Sequence, residues 1–187
     1  MGLQKQESKI VKLSHGRIAR ISGVKGLLIP DPQIFLTSLQ LDSSVAIQAV
    51  DVQSVAGHEH LRLILEQAEE SRRRGILYAQ RLEVDILLRI ACSLQIKQAF
   101  DRVGLKKGKQ DLAIMAIGPM AKVDSVWKRL RRMIPLNFAI LKPTPARLQK
   151  LMSIHGIDGV SISAVPGAQR PVYGILAEKA ALLQLSR

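Results

Sequence analysis

The chain has little cysteine, few aromatic residues and no long apolar run. Its one cysteine, Cys92, excludes an internal disulfide and any multi-cysteine zinc site. Aromatic residues make up only 3% of the sequence, so we expect an aliphatic core and little aromatic stacking on bases. No apolar run reaches the roughly 20 residues of a membrane-spanning helix, and the first residues lack the apolar segment of a signal peptide. We therefore expect a soluble, cytoplasmic protein.

Acidic residues are scarce as well. The sequence has 15 Asp and Glu against 28 Lys and Arg, which gives a net charge of +13. The excess is uneven, because residues 1–60 hold 6 basic and 5 acidic side chains and residues 111–187 hold 11 and 4. Such a surface attracts polyanions, of which nucleic acid is the commonest. A solvated basic surface without a ligand is the alternative.

Catalytic and phosphate-binding motifs are also missing. The sequence contains no GxGxxG, no GxxxxGK[ST] and no GxSxG. His58 and His60 are two residues apart, so on a helix they would point about 200° apart and could not share a metal. Asp85 is most simply the ion-pair partner of Arg81 or Arg89 at helical spacing. We therefore expect a protein without enzymatic activity, bound metal or cofactor.

Helical and strand periodicity is strong. Residues 81–103 contain no Gly or Pro. The first helix of this stretch is apolar on more than one face, which is typical of a buried helix, and Ser93 is expected to cap a second helix with a single apolar stripe. We expect a hairpin over residues 9–29 and strands at 45–52, 111–118 and 138–141. Further helices are expected from near residues 32, 55, 123, 144 and 172. The pattern predicts a single α/β domain over residues 1–187, with a central mixed β-sheet flanked by helices.

Basic side chains gather at three places in this pattern. The helix that opens near residue 55 ends in three consecutive arginines, and the loop after residue 103 has three lysines in four positions. The helix over residues 123–134 is apolar on one face and basic on the rest. The arginines and the loop lysines could contact phosphates. The arginines could equally serve only to complement the helix dipole, and the lysines only to keep a turn soluble.

Four blocks of sequence, in this order, resemble the kinase-binding small subunit of the KEOPS complex. Residues 56–61, AGHEHL, resemble the AGKEHL that opens a helix in that family, and residues 82–100 are similar to its LxxEILLYxSGxRQIxxAI block. Residues 112–118 match the strand ending in glycine that follows, and residues 175–183, ILAEKAALL, resemble its final helix, LVxERxALL. The sequence departs from the pattern at four positions. His58 stands where the family has Lys, and Arg89 stands where it has an aromatic residue. Cys92 stands where it has a glycine, and Leu94 stands where it has a basic or polar residue.

The resemblance implies an α/β fold without catalytic activity of its own. It also implies two partners. One is the N-terminal lobe of a small atypical kinase, within the complex that makes threonylcarbamoyladenosine in tRNA. The other is tRNA, held by its single-stranded CCA acceptor end and so recruited to the complex. The alternative function is that of a basic ribosomal or DNA-associated protein, which would share the charge but not the order of the blocks.

Two candidate surfaces follow. We hypothesise that cations near the central helices hold the tRNA backbone, with Gln95 a candidate for base recognition. This set comprises Arg72, Arg73, Arg74, Arg81, Arg89, Gln95, Lys106, Lys107 and Lys109. The last helix is expected to supply part of the kinase contact through Ile175, Ala180, Leu182 and Leu183. The alternative to this kinase contact is that the four side chains pack into the protein's own core.

Overall fold

The computed structural model describes residues 7–159 and 171–186, which form both helices and strands. The predicted α/β class is confirmed. Residue contacts divide the chain into two compact units, one of residues 1–52 with 105–142 and the other of residues 53–104 with 143–187. That the whole chain forms one domain stays a prediction. None of the helices in the described part of the chain is long and apolar enough to span a membrane.

The first unit is built on a four-stranded sheet in the order β1-β2-β4-β3. Its strands are β1 (Lys9–Lys12), β2 (Arg17–Ile29), β3 (Ala46–Asp51) and β4 (Gly108–Pro119). The three strand pairings are all antiparallel, so the predicted mixed sheet is wrong. The predicted hairpin is confirmed. Its turn places His15 and Gly16 at φ 55° and 70°, the left-handed values that the tightest hairpin turns need.

Strand β4 lies between β2 and β3 and is buried on both faces. Residues 112–117 are fully buried, which explains why this strand is an unbroken apolar run and does not alternate with polar residues. A bulge at residues 25–26 interrupts its pairing with β2. There Gly26 adopts φ 62°, and its N–H donates to Asp111 Oδ1 at 2.7 Å.

Two helices of the first unit are α1 (Pro32–Ser38) and α5 (Met120–Met133). The apolar stripe of α5, which includes the buried Trp127, packs against alternate side chains of the sheet, as its periodicity predicts. Residues 138–141 form a 3₁₀ turn, so the predicted strand there is wrong. This turn crosses β2 closely. The Asn137 N–H donates to Gly23 O at 2.6 Å, and a Cβ on Gly23 would lie 2.3 Å from Ile140.

The second unit is helical. Its helices are α2 (His58–Arg74), α3 (Leu82–Ala91), α4 (Ile96–Val103), α6 (Pro145–His155) and α7 (Val172–Leu182). Helix α3 is the most buried, because residues 85–91 expose 1% or less of their surface. Helices α2, α4 and α7 pack against it. This confirms that the helix with apolar residues on several faces is an interior helix.

Helix α3 ends at a strained residue. Cys92 has φ 47° and ψ 47°, the left-handed conformation usually taken by glycine at this position after a helix. Its N–H donates to Arg89 O, and the Ser93 N–H donates to Leu88 O at 3.1 Å. A side chain with a Cβ pays a steric cost of roughly 1 kcal/mol in this conformation.

We expect Cys92→Gly to be more stable than Cys92→Ala by about 1 kcal/mol, because both lose the thiol and only glycine relieves the left-handed strain. Urea denaturation of the two variants measures the difference. Equal stability, or a more stable alanine variant, would contradict the strain at this position.

Candidate nucleic-acid interface

The three consecutive arginines lie on the last turn of α2, where the sequence predicts them, but each is already paired. Arg72 contacts Glu69 at 2.7 Å, and Arg73 and Arg74 contact Glu70 at 2.7 and 2.5 Å. Hydrogen bonds from Arg73 and Arg74 lower the pKa of the Glu70 carboxyl to about 2. Each glutamate precedes its arginine by three or four residues, which is one helical turn. The charge of this cluster is therefore largely balanced within α2 itself.

Arg81 and Gln95 are both exposed, at the residues that precede α3 and α4. Arg81 pairs with Glu83, in the first turn of α3. The backbone N–H of Gln95 donates to Ser93 Oγ at 3.2 Å, and the residue is exposed. Both side chains are therefore accessible to an RNA in solution.

Arg89 is not a surface residue, so its prediction as a phosphate contact is wrong. It is only 1% exposed, and its Nε donates to Asp85 Oδ2 at 2.6 Å. Its Nη2 donates to Ser71 Oγ at 2.9 Å, and its guanidinium lies 4.3 Å from the centre of the Tyr78 ring. The simpler account of Asp85, an ion pair at helical spacing, is the correct one, with Arg89 rather than Arg81 as the partner.

Lys106, Lys107 and Lys109 lie in the first unit, at the turn that leads into β4, and all three are exposed. The side chain of Gln110 closes this turn by bonding to both the N–H and the carbonyl oxygen of Lys106. Lys109 pairs with Leu28 across the sheet, so the lysines project at the end of the sheet where β2 finishes and β4 begins. The arginines and Gln95 belong to the second unit.

The last helix, α7, packs mostly against residues of its own unit. Ile175 and Ala180 are buried, and Ile175 packs with Ala56 and Leu151. Neither can form part of a kinase contact on the surface, so these two predictions are wrong and the alternative of core packing is correct for them. Leu182 is 49% exposed and Leu183 is partly exposed.

A buried histidine is a feature that the sequence analysis missed. His60 is fully buried, its Nδ1 accepts the Ala56 N–H at 3.4 Å, and its Nε2 has no partner among the described residues. Burial, with a smaller contribution from His155, lowers the pKa of His60 to about 3. The pKa of His155 is also lowered, by burial and then by Arg102 and Lys179. The signal for this histidine is its position on the apolar stripe of α2, beside Leu61 and Ile64.

Within residues 7–159 and 171–186, no three side chains of His, Cys, Asp or Glu come together as metal ligands. Burial raises the pKa of the Cys92 thiol to about 11. At neutral pH this thiol is therefore protonated, in contrast to a reactive thiolate.

The charge of the two units differs. By sequence, the first unit carries 15 Lys and Arg against 6 Asp and Glu, and the second carries 13 against 9. Most of the net positive charge thus belongs to the sheet-containing unit, whereas six of the nine residues predicted to bind RNA lie in the other. The helix that contributes most to this excess is α5.

No family model and no curated protein matches the sequence. The candidate interface is therefore defined by the positions, exposure and pairing of the side chains themselves.

We expect Arg89→Ala to lower the free energy of unfolding by about 3–5 kcal/mol, because it leaves the Asp85 carboxylate buried without its cation. Arg73→Ala is the matched control. It removes an exposed arginine whose partner Glu70 keeps Arg74, so we expect a loss of less than about 1 kcal/mol. Urea denaturation measures both. Similar small losses in the two variants would show that Arg89 is not held as described.

We expect acidification below pH 6.5 to destabilise the protein through His60. The unfolded state binds a proton at the ordinary histidine pKa of 6.5, and the folded state does so only near 3. Between pH 7 and pH 5 this difference removes about 2 kcal/mol of stability. His60→Gln should reduce the pH dependence by that amount, measured by denaturation at both pH values. His15→Gln, in the exposed hairpin turn, should not change it. An unchanged pH dependence in the His60 variant would contradict the assignment.

Proposed function

We propose that this protein is the non-catalytic small subunit of a KEOPS-type complex, which binds a small atypical kinase and recruits tRNA through its CCA acceptor end. The proposal rests on the four sequence blocks that resemble that family, on the basic surface, and on the way in which the structure accounts for departures from the family pattern. The alternative is a basic ribosomal or DNA-associated protein.

The observation that carries the proposal is the backbone conformation of Cys92. The resemblance places a family glycine at this position from the sequence alone. The backbone at this position is left-handed, at φ 47° and ψ 47°, which is the conformation that glycine adopts without steric cost. A glycine in the family pattern and a left-handed residue in the structure thus coincide, which supports the correspondence of the α3–α4 block.

A second departure has a physical explanation of the same kind. The family pattern has an aromatic residue where this chain has Arg89. The Arg89 guanidinium is planar, lies over the Tyr78 ring and is neutralised by Asp85, so it fills an interior position with a flat side chain. A flat, buried side chain thus occupies this position although the residue type differs from the family pattern.

The surfaces that remain for the two partners are smaller than the sequence predicts. For RNA they are the exposed Lys106, Lys107 and Lys109 of the first unit and Gln95 of the second, because Arg81 is paired with Glu83 as the α2 arginines are with their glutamates. For the kinase they are Leu182 and, from the residues after α7, Leu185, which is 81% exposed. Two large apolar side chains near the end of the chain suit a protein partner better than a solvated surface.

We expect tRNA to bind at least about tenfold more tightly with its terminal CCA than without it. Affinity should also fall steeply between two salt concentrations, because phosphate neutralisation releases counterions. Fluorescence anisotropy with labelled tRNA measures both effects. Replacing Lys106, Lys107 and Lys109 by Gln should weaken binding and reduce the salt dependence.

Equal binding of the two tRNAs would contradict recruitment through the acceptor end and would favour the alternative function. Affinity that does not change with salt would contradict phosphate binding altogether.

A further inference from the structure

We propose that the outward half of α5 is a docking surface for the phosphate backbone of duplex RNA. This inference rests on the proposed function, since it concerns how the same RNA is held, and it assigns the contact to a helix outside the predicted site. The inference is based on a comparison of α2 and α5, the two described helices with the most charged residues, which differ in how their charges are balanced.

The charge of α5 is not balanced within the helix. Helix α2 carries four arginines and four glutamates, whereas α5 carries five cations and one carboxylate. The five cations of α5 are Lys122, Lys128, Arg129, Arg131 and Arg132, and all are exposed. On α5 the cations therefore outnumber the carboxylates of the same helix, whereas on α2 the two are equal in number.

The geometry of α5 places these cations together. Val123, Val126, Trp127 and Leu130 are buried and occupy one side of the helix. At 100° per residue, the five cations fall on the opposite half of the helix, and they span about 15 Å along its axis from first to last. One strand of a nucleic-acid duplex presents a charge about every 3.4 Å, so this length faces roughly four phosphates.

Some cations of α5 have partners at the edges of this half. Lys122 lies 3.6 Å from Asp42, and Arg131 lies 2.9 Å from Glu7. Arg129 donates to the carbonyl oxygen of Leu41 at 3.1 Å. The single carboxylate of the helix, Asp124, is neutralised by Arg20 at 2.8 Å.

Lys128 and Arg132 are one helical turn apart, near the middle of the outward half. Among the described residues, no carboxylate lies within ion-pair distance of either side chain. These two cations are therefore available to neutralise phosphates without first breaking an ion pair or the hydrogen bond that holds Arg129. Arginine adds the capacity for a bidentate contact with a phosphate.

The chemistry of the surface favours an RNA backbone over a membrane. A basic amphipathic helix binds a lipid surface by inserting its apolar face, but the apolar face of α5 is committed to the core of its own unit. A single strand would gain from aromatic side chains on which its bases stack, and the one aromatic residue of α5, Trp127, is buried. Duplex RNA is held mainly through its shape and phosphates, which a convex row of cations can contact.

This surface also continues toward the lysine turn. After α5 the chain returns to the sheet, where Leu136 bridges to Val24, and Val24 pairs with Leu112 of β4. Leu112 is three residues from Lys109. The C-terminal end of α5 and Lys106, Lys107 and Lys109 thus approach the same end of the sheet, so one RNA could contact both.

The test compares the double variant Lys128→Gln/Arg132→Gln with the control Lys12→Gln/Lys150→Gln, which removes the same charge from exposed positions on β1 and α6. The ligands are a blunt RNA duplex without overhangs, tRNA with and without CCA, and vesicles containing phosphatidylserine. We expect the α5 variant to bind the duplex at least about tenfold more weakly. We also expect the slope of log K against log salt to become less steep by about 2, since two phosphate contacts are lost. The control should retain the duplex binding and the slope of the unmodified protein.

The outcomes separate this inference from the proposed function. CCA-dependent tRNA binding with no duplex binding, or with equal losses in both variants, would overturn the α5 surface and leave the proposed function standing. Duplex binding that depends on α5, with no effect of CCA, would support the surface and contradict recruitment through the acceptor end. Vesicle binding that depends on α5, in place of duplex binding, would overturn the RNA assignment. A protein that binds no RNA would overturn both.

Discussion

The ion pair between Arg89 and Asp85 is the interaction on which the helical unit most depends. Burying two charges costs several kcal/mol per ion, and the attraction between them offsets this only when their remaining hydrogen-bonding groups are also satisfied. Here Ser71 of α2 accepts from the guanidinium, and the N–H of Tyr78 donates to the carboxylate at 2.7 Å. The pair therefore fixes the position of α3 relative to α2 and to the segment between them. The burial of α3 itself comes from its apolar faces, which pack against α2, α4 and α7.

Pairing, rather than the number of cations, distinguishes the charged helices of this protein. On α2 each arginine follows a glutamate by three or four residues, and the exposed part of the helix presents alternating charge. On α5 the cations follow one another with a single carboxylate among them. A polyanion that approaches α2 must compete with glutamates that are already in place, whereas on α5 it meets Lys128 and Arg132 directly. This difference moves the candidate RNA surface from the predicted arginines to the sheet-containing unit.

The candidate site could be predicted from the sequence only in part. The lysines at 106, 107 and 109 are exposed as expected, because a turn between a helix and a strand lies at the surface. Arg89 could not be placed, because its i,i+4 spacing from Asp85 is the same whether the pair faces water or the interior. The positive residues of α5 were recognisable as a basic amphipathic face, but the sequence does not show which cations find partners on other elements. Those partners, among them Asp42 and Glu7, are distant in sequence.

Local structure follows from neighbouring residues alone: the hairpin at residues 9–29, the buried strand β4, and helices whose apolar periodicity and capping residues lie within a few positions of one another. Which residues lie at the surface depends instead on how distant elements pack. This packing made the sheet antiparallel throughout its described strands and turned residues 138–141 into a 3₁₀ turn over Gly23. It also buried Ile175 and Ala180 in the core of their own unit. Burial and ion pairing depend on elements that are far apart in the chain. The periodicity of a sequence does not show which of these elements pack against each other.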